Sequence, residues 1–272
     1  MEYLCRILRN LVFNICPQIN QTCGVNLAWF SHYTSYWYAT SIDQNLLTTI
    51  LFSYYLCKYY YVLFLHSALP EPVAFYPLNE HYKFAEKDNR QPEGIPGDVT
   101  TTNGPYNEPG GAYMFFGTLT SYIEFPNEGG LDTRLSITLM CWVRPGGQDG
   151  TLFSYVKYDR GVLIAIVDGK FFIGIIRRDG FTEFDIATAE ALQTGVWAHV
   201  AATYDFYTGN ASLYINGYLT NSQIVSAGLY ISTNADKVRI GVIKGAIAEM
   251  KVYDVALDEA EIQASIRKGI CK

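Results

Sequence analysis

Two-residue turns between short apolar runs are the feature that most limits how this chain can fold. Residues 161–167 and 170–176 are both strongly apolar, and the dipeptide Asp168-Gly169 joins them. The favoured two-residue hairpin turn needs positive φ at both central positions, which Asp-Gly and Asn-Gly supply more readily than other pairs. Two more hairpin-turn dipeptides, Asp179-Gly180 and Asn216-Gly217, occur further along the chain. We therefore expect consecutive strands that run antiparallel.

A strict alternation of residue type predicts a half-buried strand at residues 136–143 (SITLMCWV). One face would carry Ile137, Leu139, Cys141 and Val143, and the other Thr138, Met140 and Trp142. Other short apolar runs predict further strands at 73–76, 112–116, 121–125, 151–155, 182–187, 197–204, 211–215, 238–241 and 246–253. Because this number exceeds what one open sheet carries comfortably, we predict an all-β sandwich of two antiparallel sheets. Residues 79–111 are polar and rich in Gly, Pro and Asn, which predicts a long surface connection.

One short helix is predicted near the C-terminus. Asp258 is a favourable N-cap, and Glu261 stands three residues later as its capping-box partner. Leu257 and Ile262 occupy the positions of a hydrophobic staple on either side of the cap. Ile262 and Ile266 lie four residues apart, so we expect this helix to dock on the sandwich through one apolar stripe.

The first 70 residues differ sharply in composition from the rest of the chain. They hold only five of the 46 charged side chains (Glu2, Arg6, Arg9, Asp43, Lys58) and four of the six cysteines (Cys5, Cys16, Cys23, Cys57). We therefore divide the chain into a hydrophobic N-terminal region, 1–70, and a folded domain, 73–272.

Residues 46–65 form an apolar stretch that as a helix would span about 30 Å, enough to cross a bilayer as a single-pass signal-anchor. Lys58 past its midpoint counts against that interpretation. Two alternatives stay open. Residues 59–65 could be the apolar region of a late signal peptide cleaved near Ser67 and Ala68, or the whole segment could be upstream sequence outside the natural reading frame. The anchor and signal readings both predict an extracellular or cell-surface location for the folded domain.

Net charge and its distribution narrow the class of partner. The chain carries a formal net charge of -6 and its isoelectric point is about 5.2. The one basic pair, Arg177 and Arg178, is followed at once by Asp179. A nucleic-acid interface normally needs a cluster of basic residues to neutralise phosphates. We therefore expect no nucleic-acid partner.

Three passages resemble the laminin-G-like jelly-roll domain of the concanavalin A-like lectin/glucanase superfamily. The most specific is residues 195–217 (GVWAHVAATYDFYTGNASLYING), which matches the pattern W-x-H-V-A-x-T-Y-D…L-Y-x-N-G. Residues 74–79 (AFYPLN) resemble the opening strand, and residues 111–126 with 136–145 resemble the paired central strands. Residues 245–257 (GAIAEMKVYDVAL) complete a resemblance that covers about 73–268.

The resemblance implies a jelly roll that binds glycans, extracellular matrix proteins or other cell-surface partners. Several members of the family hold calcium, and in many of them the last strand begins Gly-x-Ile-Asp-Glu. Here Ala248 stands where that Asp would be. Because calcium is held by six to eight oxygens that usually include carboxylates, we expect no cofactor and treat structural calcium as doubtful.

Some relatives are glycanases, so paired carboxylates are the alternative to consider. Glu183 and Asp185 begin such a pattern on one strand face, but the next same-face positions are Ala187 and Ala189. His199 has no Ser-His-Asp or His-x-x-x-His company, and Cys141 lies on an apolar strand face. We therefore predict no catalytic residues and a non-enzymatic recognition or adhesion module. A glycan hydrolase with an unrecognised arrangement remains the alternative.

Four residues are predicted to contact a ligand. Asp149, Tyr158, Asp159 and Arg160 combine an aromatic ring with charged groups in predicted turns, as sugar-binding sites do. Asn210-Ala211-Ser212 is an N-glycosylation sequon next to a predicted turn, and Asn20-Gln21-Thr22 is another. We predict a ligand-binding role for the first group and glycosylation at Asn210.

Overall fold

The computed structural model describes residues 69–155, 161–176, 183–233 and 237–270, which contain fifteen strands and one helix. The strands in chain order are β1 (Ala74–Tyr76), β2 (Ile95–Pro96), β3 (Val99–Thr102), β4 (Ala112–Phe116), β5 (Tyr122–Phe125), β6 (Ile137–Pro145), β7 (Gly150–Tyr155), β8 (Val162–Val167), β9 (Lys170–Ile176), β10 (Glu183–Ala191), β11 (Ala198–Tyr204), β12 (Asn210–Ile215), β13 (Tyr218–Ile224), β14 (Val238–Gly241) and β15 (Lys244–Tyr253). The helix is α1 (Glu259–Ile270). The predicted membrane span at 46–65 lies outside the described residues. Within them, no helix is both long and apolar enough to cross a membrane.

The strands form two antiparallel sheets. Sheet A has eight strands, seven of them in the order β13-β12-β11-β6-β15-β4-β3, and β1 pairs with β15 beside that path. Sheet B has seven strands in the order β10-β9-β8-β7-β14-β5-β2. The sheets pack face to face and α1 follows the last strand, so the predicted all-β sandwich with one C-terminal helix is confirmed.

Strand β6 shows how the sequence alternation builds the core. Ile137, Leu139 and Val143 are buried in the main cluster between the sheets, and Cys141 packs against it. Met140 points to the opposite face of sheet A and belongs to a second, smaller cluster. The predicted alternation is therefore confirmed, and it places apolar surface on both faces of this central strand.

Helix α1 covers the second cluster, whose buried members are Met140, Ala201, Tyr214, Tyr253, Leu257 and Ile262. The predicted capping box is present: the backbone N–H of Glu261 donates to Oδ1 of Asp258 (2.8 Å), and the N–H of Asp258 donates to Oε2 of Glu261 (2.9 Å). The staple residues Leu257 and Ile262 are both buried. The Thr138 hydroxyl accepts from the N–H of Leu257 and donates to the carbonyl of Val255, which ties the segment before the helix to sheet A.

Two of the three predicted hairpin turns lie within the described residues and have the expected backbone. The φ angles of Asp168 and Gly169 are 51° and 72°, and those of Asn216 and Gly217 are 53° and 84°. These turns join β8 to β9 and β12 to β13. The third, Asp179-Gly180, lies outside the described residues.

The predicted long surface connection over residues 79–111 contains two short strands that were not predicted. Strands β2 and β3 lie in it and pair with β5 and β4. Glu86 organises another part, because its buried carboxylate accepts from the backbone N–H groups of Phe75, Asp88 and Arg90. Both strands lie at sheet edges and are partly or wholly exposed, so their sequences lack the apolar alternation that reveals a half-buried strand. The hairpin turn at Asn216-Gly217 implied the exposed edge strand β13, but its range was not predicted, for the same reason.

His199 lies on the outer face of sheet A, where only 2% of the residue is exposed. Its ring contacts that of Trp142 in an edge-to-face arrangement, with 5.3 Å between centroids. Neither Nδ1 of His199 nor Nε1 of Trp142 has a hydrogen-bond partner among the described groups. Burial, reinforced by the positive charge of Lys251, lowers the pKa of His199 to about 3. The imidazole is therefore neutral in the folded domain, which agrees with a structural role, although Nδ1 is not hydrogen-bonded as a fully satisfied histidine would be.

The N-cap of α1 gives a direct test of the helix boundary. Replacing Asp258 with Ala should lower the free energy of unfolding by about 1 kcal/mol, because the N–H of Glu261 loses its acceptor. Asp258→Asn keeps an acceptor oxygen and should cost clearly less. Urea unfolding of the full chain measures both, and equal losses for the two variants would contradict the assignment of the cap.

The lowered pKa of His199 predicts that the stability of the folded domain depends on pH. In the unfolded chain the histidine takes up a proton as the pH falls through about 6.5, whereas the folded domain resists protonation down to a pH of about 3. The contribution of the neutral His199 to the free energy of unfolding is therefore fully present above about pH 6.5. Below that pH it is lost at a rate that approaches about 1.4 kcal/mol per pH unit.

His199→Gln should make the fall in stability between pH 6.5 and 4 shallower, as measured by urea unfolding. His81→Gln, which removes an exposed imidazole, is the control for the loss of one histidine. An unchanged slope in His199→Gln would show that the buried ring does not resist protonation.

Candidate functional site

Three connecting segments meet at one end of the sandwich. They are the segment before β6, the turn between β11 and β12, and residues 225–233 after β13. Backbone hydrogen bonds join them: the N–H of Ile231 donates to the carbonyl of Arg134, that of Gly228 to Phe206, and that of Val225 to Gly209. This end of the domain is therefore one connected surface.

This surface displays large apolar side chains that the folded domain leaves uncovered. Tyr207 and Ile224 are each 76% exposed and Tyr230 is 55% exposed. Phe206, which is half-buried, lies beneath the two tyrosines: its ring centroid is 5.4 Å from that of Tyr207 and 5.1 Å from that of Tyr230. We call Phe206, Tyr207, Ile224 and Tyr230 the aromatic rim.

Asp205 holds the turn that presents Tyr207. Its carboxylate accepts from the backbone N–H of Tyr207 (3.0 Å) and from the hydroxyl of Thr208 (2.7 Å). The Ser136 hydroxyl donates to the same carboxylate (3.5 Å) and accepts from the N–H of Phe206 (3.0 Å). The Thr208 hydroxyl bond, with further bonds from backbone N–H groups and Ser136, keeps the pKa of Asp205 below its usual range despite the opposing effect of burial. The turn is therefore fixed by a charged acceptor.

Tyr204 and Gly209 hold residues 225–230, the segment that leads into Tyr230, beside the turn that carries Tyr207. The buried hydroxyl of Tyr204 accepts from the N–H of Leu229 (3.2 Å) and lies within donating distance of the carbonyls of Ser226 and Leu229. Gly209 has a φ of 71°, and a Cβ there would come within 2.4 Å of the backbone N of Ala227. Only glycine allows this close approach, which brings residues 225–230 against the turn.

The chemical character of the aromatic rim suits recognition. A tyrosine ring offers a flat apolar face with a polar tip, and ordering it on binding costs little entropy because it has only two χ angles. Exposed apolar groups rimmed by polar ones are typical of binding surfaces. Because the supporting turns are already fixed, a ligand would not have to order them.

Asp149 has a structural role at the other end of β7. Its carboxylate accepts from the backbone N–H groups of Asp168 (2.8 Å) and Gly169 (3.1 Å), and so fixes the β8–β9 hairpin. The six residues of β7 separate Asp149 from Tyr155 by about 20 Å. The Tyr155 hydroxyl donates to the carbonyl of Leu131 near the aromatic rim, so Asp149 lies at the end of β7 that is far from the rim. Tyr158, Asp159 and Arg160 lie outside the described residues, and their role in ligand binding stays a prediction.

Strand β10 carries the two carboxylates considered for catalysis. Asp185 is exposed and lies opposite Gly174 of β9, whereas Glu183 lies opposite Ile176. The two strand partners on β9 therefore bring no second carboxylate to these positions. Ala187 follows Asp185 at the next same-face position, and the register with β9 shifts between Ala187 and Ala191.

No group of three His, Cys, Asp or Glu side chains close enough to hold a metal ion occurs among the residues that the structure describes. Ala248 is fully buried in β15 and offers no side-chain oxygen. This position does not fit the calcium ligand found in relatives. Burial raises the pKa of the Cys141 thiol to about 12, so the thiol is protonated at neutral pH.

Sequence reasoning did not identify the aromatic rim. The turn before Asn210 was expected, but Tyr207 was not singled out within it. Tyr230 lies in a different connection, and only the fold brings it to Phe206. A sequence signal exists only in the turn, where Tyr207 follows the Tyr-Asp of the family pattern at residues 204 and 205.

Comparison with known families agrees with the fold. A laminin G-type family model, described as the concanavalin A-like lectin/glucanases superfamily, matches residues 116–263, which is more than half of the chain. The chain belongs to this superfamily. A comparison with curated proteins gave no match.

Several solved binding domains share the fold. The botulinum neurotoxin serotype G binding domain and the binding domain of Paraclostridial Mosquitocidal Protein 1 each match with a TM-score of 0.60 and 16% identity, over 74% of this chain and 52% of theirs. The binding domain of botulinum neurotoxin DC, solved in complex with rat synaptotagmin II, matches with a TM-score of 0.57 and 16% identity, over 72% of this chain and 51% of that one. This chain thus spans about half the length of these domains, and the similarity is one of fold.

The anchoring of the turn by Asp205 predicts a loss of stability. Asp205→Ala should lower the free energy of unfolding by about 1–3 kcal/mol, because the donors at Tyr207, Thr208 and Ser136 lose a charged acceptor. Asp254→Ala, at an exposed position without such bonds, should stay within about 0.5 kcal/mol of the parent. If urea unfolding gave the same value for both variants, Asp205 would not hold the turn.

Proposed function

We propose that this protein is a non-enzymatic recognition module, displayed outside the cell, and that it binds a glycan at the aromatic rim. A matrix or cell-surface protein is the other partner class that the superfamily suggests. The observation that carries the proposal is the pair of exposed tyrosines, Tyr207 and Tyr230, held over Phe206 on fixed turns.

A sugar ring suits this surface for two reasons. The apolar faces of saccharides pack against aromatic rings, and sugar hydroxyls need nearby hydrogen-bonding groups to orient them. The hydroxyls of the exposed residues Tyr207 and Tyr230 are such groups. The solved neighbours are binding domains, and cell entry of botulinum neurotoxin type C, another protein of this fold, depends on interaction with two ganglioside molecules. These are properties of other proteins, and they agree in kind with a recognition role.

The proposal predicts that the two tyrosines are needed for binding. The full chain, applied to an array of immobilised glycans, should bind at least one glycan class. Tyr207→Ala and Tyr230→Ala should each weaken that binding by about tenfold, equivalent to about 1.4 kcal/mol, because each removes a stacking surface. Tyr218→Ala is the matched control, since Tyr218 is 65% exposed but begins β13 at the end opposite to Ile224.

Two outcomes would contradict the proposal. In the first, no glycan on the array is bound and a pull-down from cell-surface extracts yields a protein partner that survives removal of glycans. In the second, the chain releases reducing sugar from a bound glycan and Asp185→Asn abolishes the release, which would indicate a hydrolase.

A further inference from the structure

The side-chain amide of Asn210 is hydrogen-bonded in a way that leaves one of its N–H groups unused. Its Nδ2 donates to Oγ of Ser212 (3.2 Å), and its Oδ1 accepts from Oγ of Ser222 (2.7 Å). A carboxamide nitrogen carries two hydrogens. The described contacts of this half-buried side chain therefore account for one hydrogen and for the oxygen.

N-linked glycosylation replaces one hydrogen of this amide nitrogen and leaves the other hydrogen and the oxygen available for hydrogen bonds. A bond forms between Nδ2 and the anomeric carbon of an oligosaccharide carried on a lipid diphosphate. The bond from that carbon to the diphosphate breaks, the lipid diphosphate leaves with the electron pair, and Nδ2 loses one proton. The product keeps one N–H for Ser212 and the oxygen for Ser222. Asn210-Ala211-Ser212 is a complete acceptor sequon whose middle residue is not proline.

The fold places this amide beside the aromatic rim. Asn210 begins β12 and lies directly opposite Ile224 of β13, and residues opposite each other in an antiparallel pair share a face. The carbonyl of Gly209, the preceding residue, accepts from the N–H of Val225. Tyr207 lies in the same short turn. A sugar on Nδ2 would thus emerge next to two of the most exposed apolar side chains of the domain.

We propose that Asn210 carries an N-linked glycan whose first sugars lie against Tyr207 and Ile224 and so cover part of the aromatic rim. The modification rests on the sequon and on the proposed extracellular location, because the oligosaccharide is transferred in the secretory pathway, and the covering of Tyr207 rests on the packing around the sequon. The consequence for ligand binding, that the glycosylated form binds more weakly, rests on the proposed function.

The test uses the full chain produced in the secretory pathway of cultured animal cells. Peptide mass mapping measures the occupancy of Asn210 in the parent, in Asn210→Gln and in Ser212→Thr, which keeps both the sequon and a hydroxyl. Tetranitromethane, which nitrates accessible tyrosines, then reports the exposure of Tyr207 without any knowledge of the ligand. Tyr218, at the far end of β13, is the internal reference.

We expect Asn210 to be occupied in the parent and in Ser212→Thr, and Tyr207 to be nitrated severalfold more slowly in both than in Asn210→Gln. The nitration rate of Tyr218 should be the same in all three proteins. An unmodified Asn210 in the parent overturns the proposal, and so does a nitration rate of Tyr207 that does not depend on the glycan. A covered Tyr207 together with unchanged binding on the glycan array would instead overturn the proposed role of the aromatic rim.

Discussion

The burial of both faces of strand β6 is the constraint on which the rest of the domain depends. Its inner face, with Ile137, Leu139 and Val143, meets the core between the sheets, and its outer face carries Met140 under helix α1. It pairs with β11 on one side and with β15 on the other. A shift of one residue in either pairing would move apolar side chains from one cluster to the other, so the register of the whole of sheet A is fixed here.

The positions of the aromatic-rim residues depend on that register. Strand β11 is held against β6 as far as Tyr204 and Ile137, so the turn that follows always begins at the same place. Asp205 then fixes the turn, and Tyr204 reaches across to fix residues 226–229. The exposed tyrosines are thus carried by a rigid sheet through two short, hydrogen-bonded connections. The apolar side chains of this surface can stay exposed, because the hydrogen bonds that hold the connections in place do not need a partner to cover the surface.

Local patterns in the sequence were sufficient for the elements that are half-buried or capped. The alternation at residues 136–143, the turns at Asp168-Gly169 and Asn216-Gly217, and the Asp258 capping box each have a physical cause within a few residues, and the structure confirms them. The edge strands β2 and β3 and the range of β13 were not predicted, because partly or wholly exposed strands lack an apolar face. The aromatic rim was not predicted because Phe206 and Tyr230 meet only through the tertiary fold. Asp149, a predicted ligand contact, accepts from two backbone N–H groups of the β8–β9 hairpin, and its role in ligand binding stays a prediction.

Membership of the concanavalin A-like lectin/glucanases superfamily defines the scaffold, and the end of the sandwich that carries Tyr207 and Tyr230 is the surface that we assign to recognition. Amide hydrogen exchange of the full chain, with and without a soluble oligosaccharide of the glycan class bound on the array, tests this assignment most directly. We expect added protection in residues 205–210 and 225–233, and no change in the β8–β9 hairpin at the opposite end. Protection confined to that hairpin or to the faces of the sheets would contradict it.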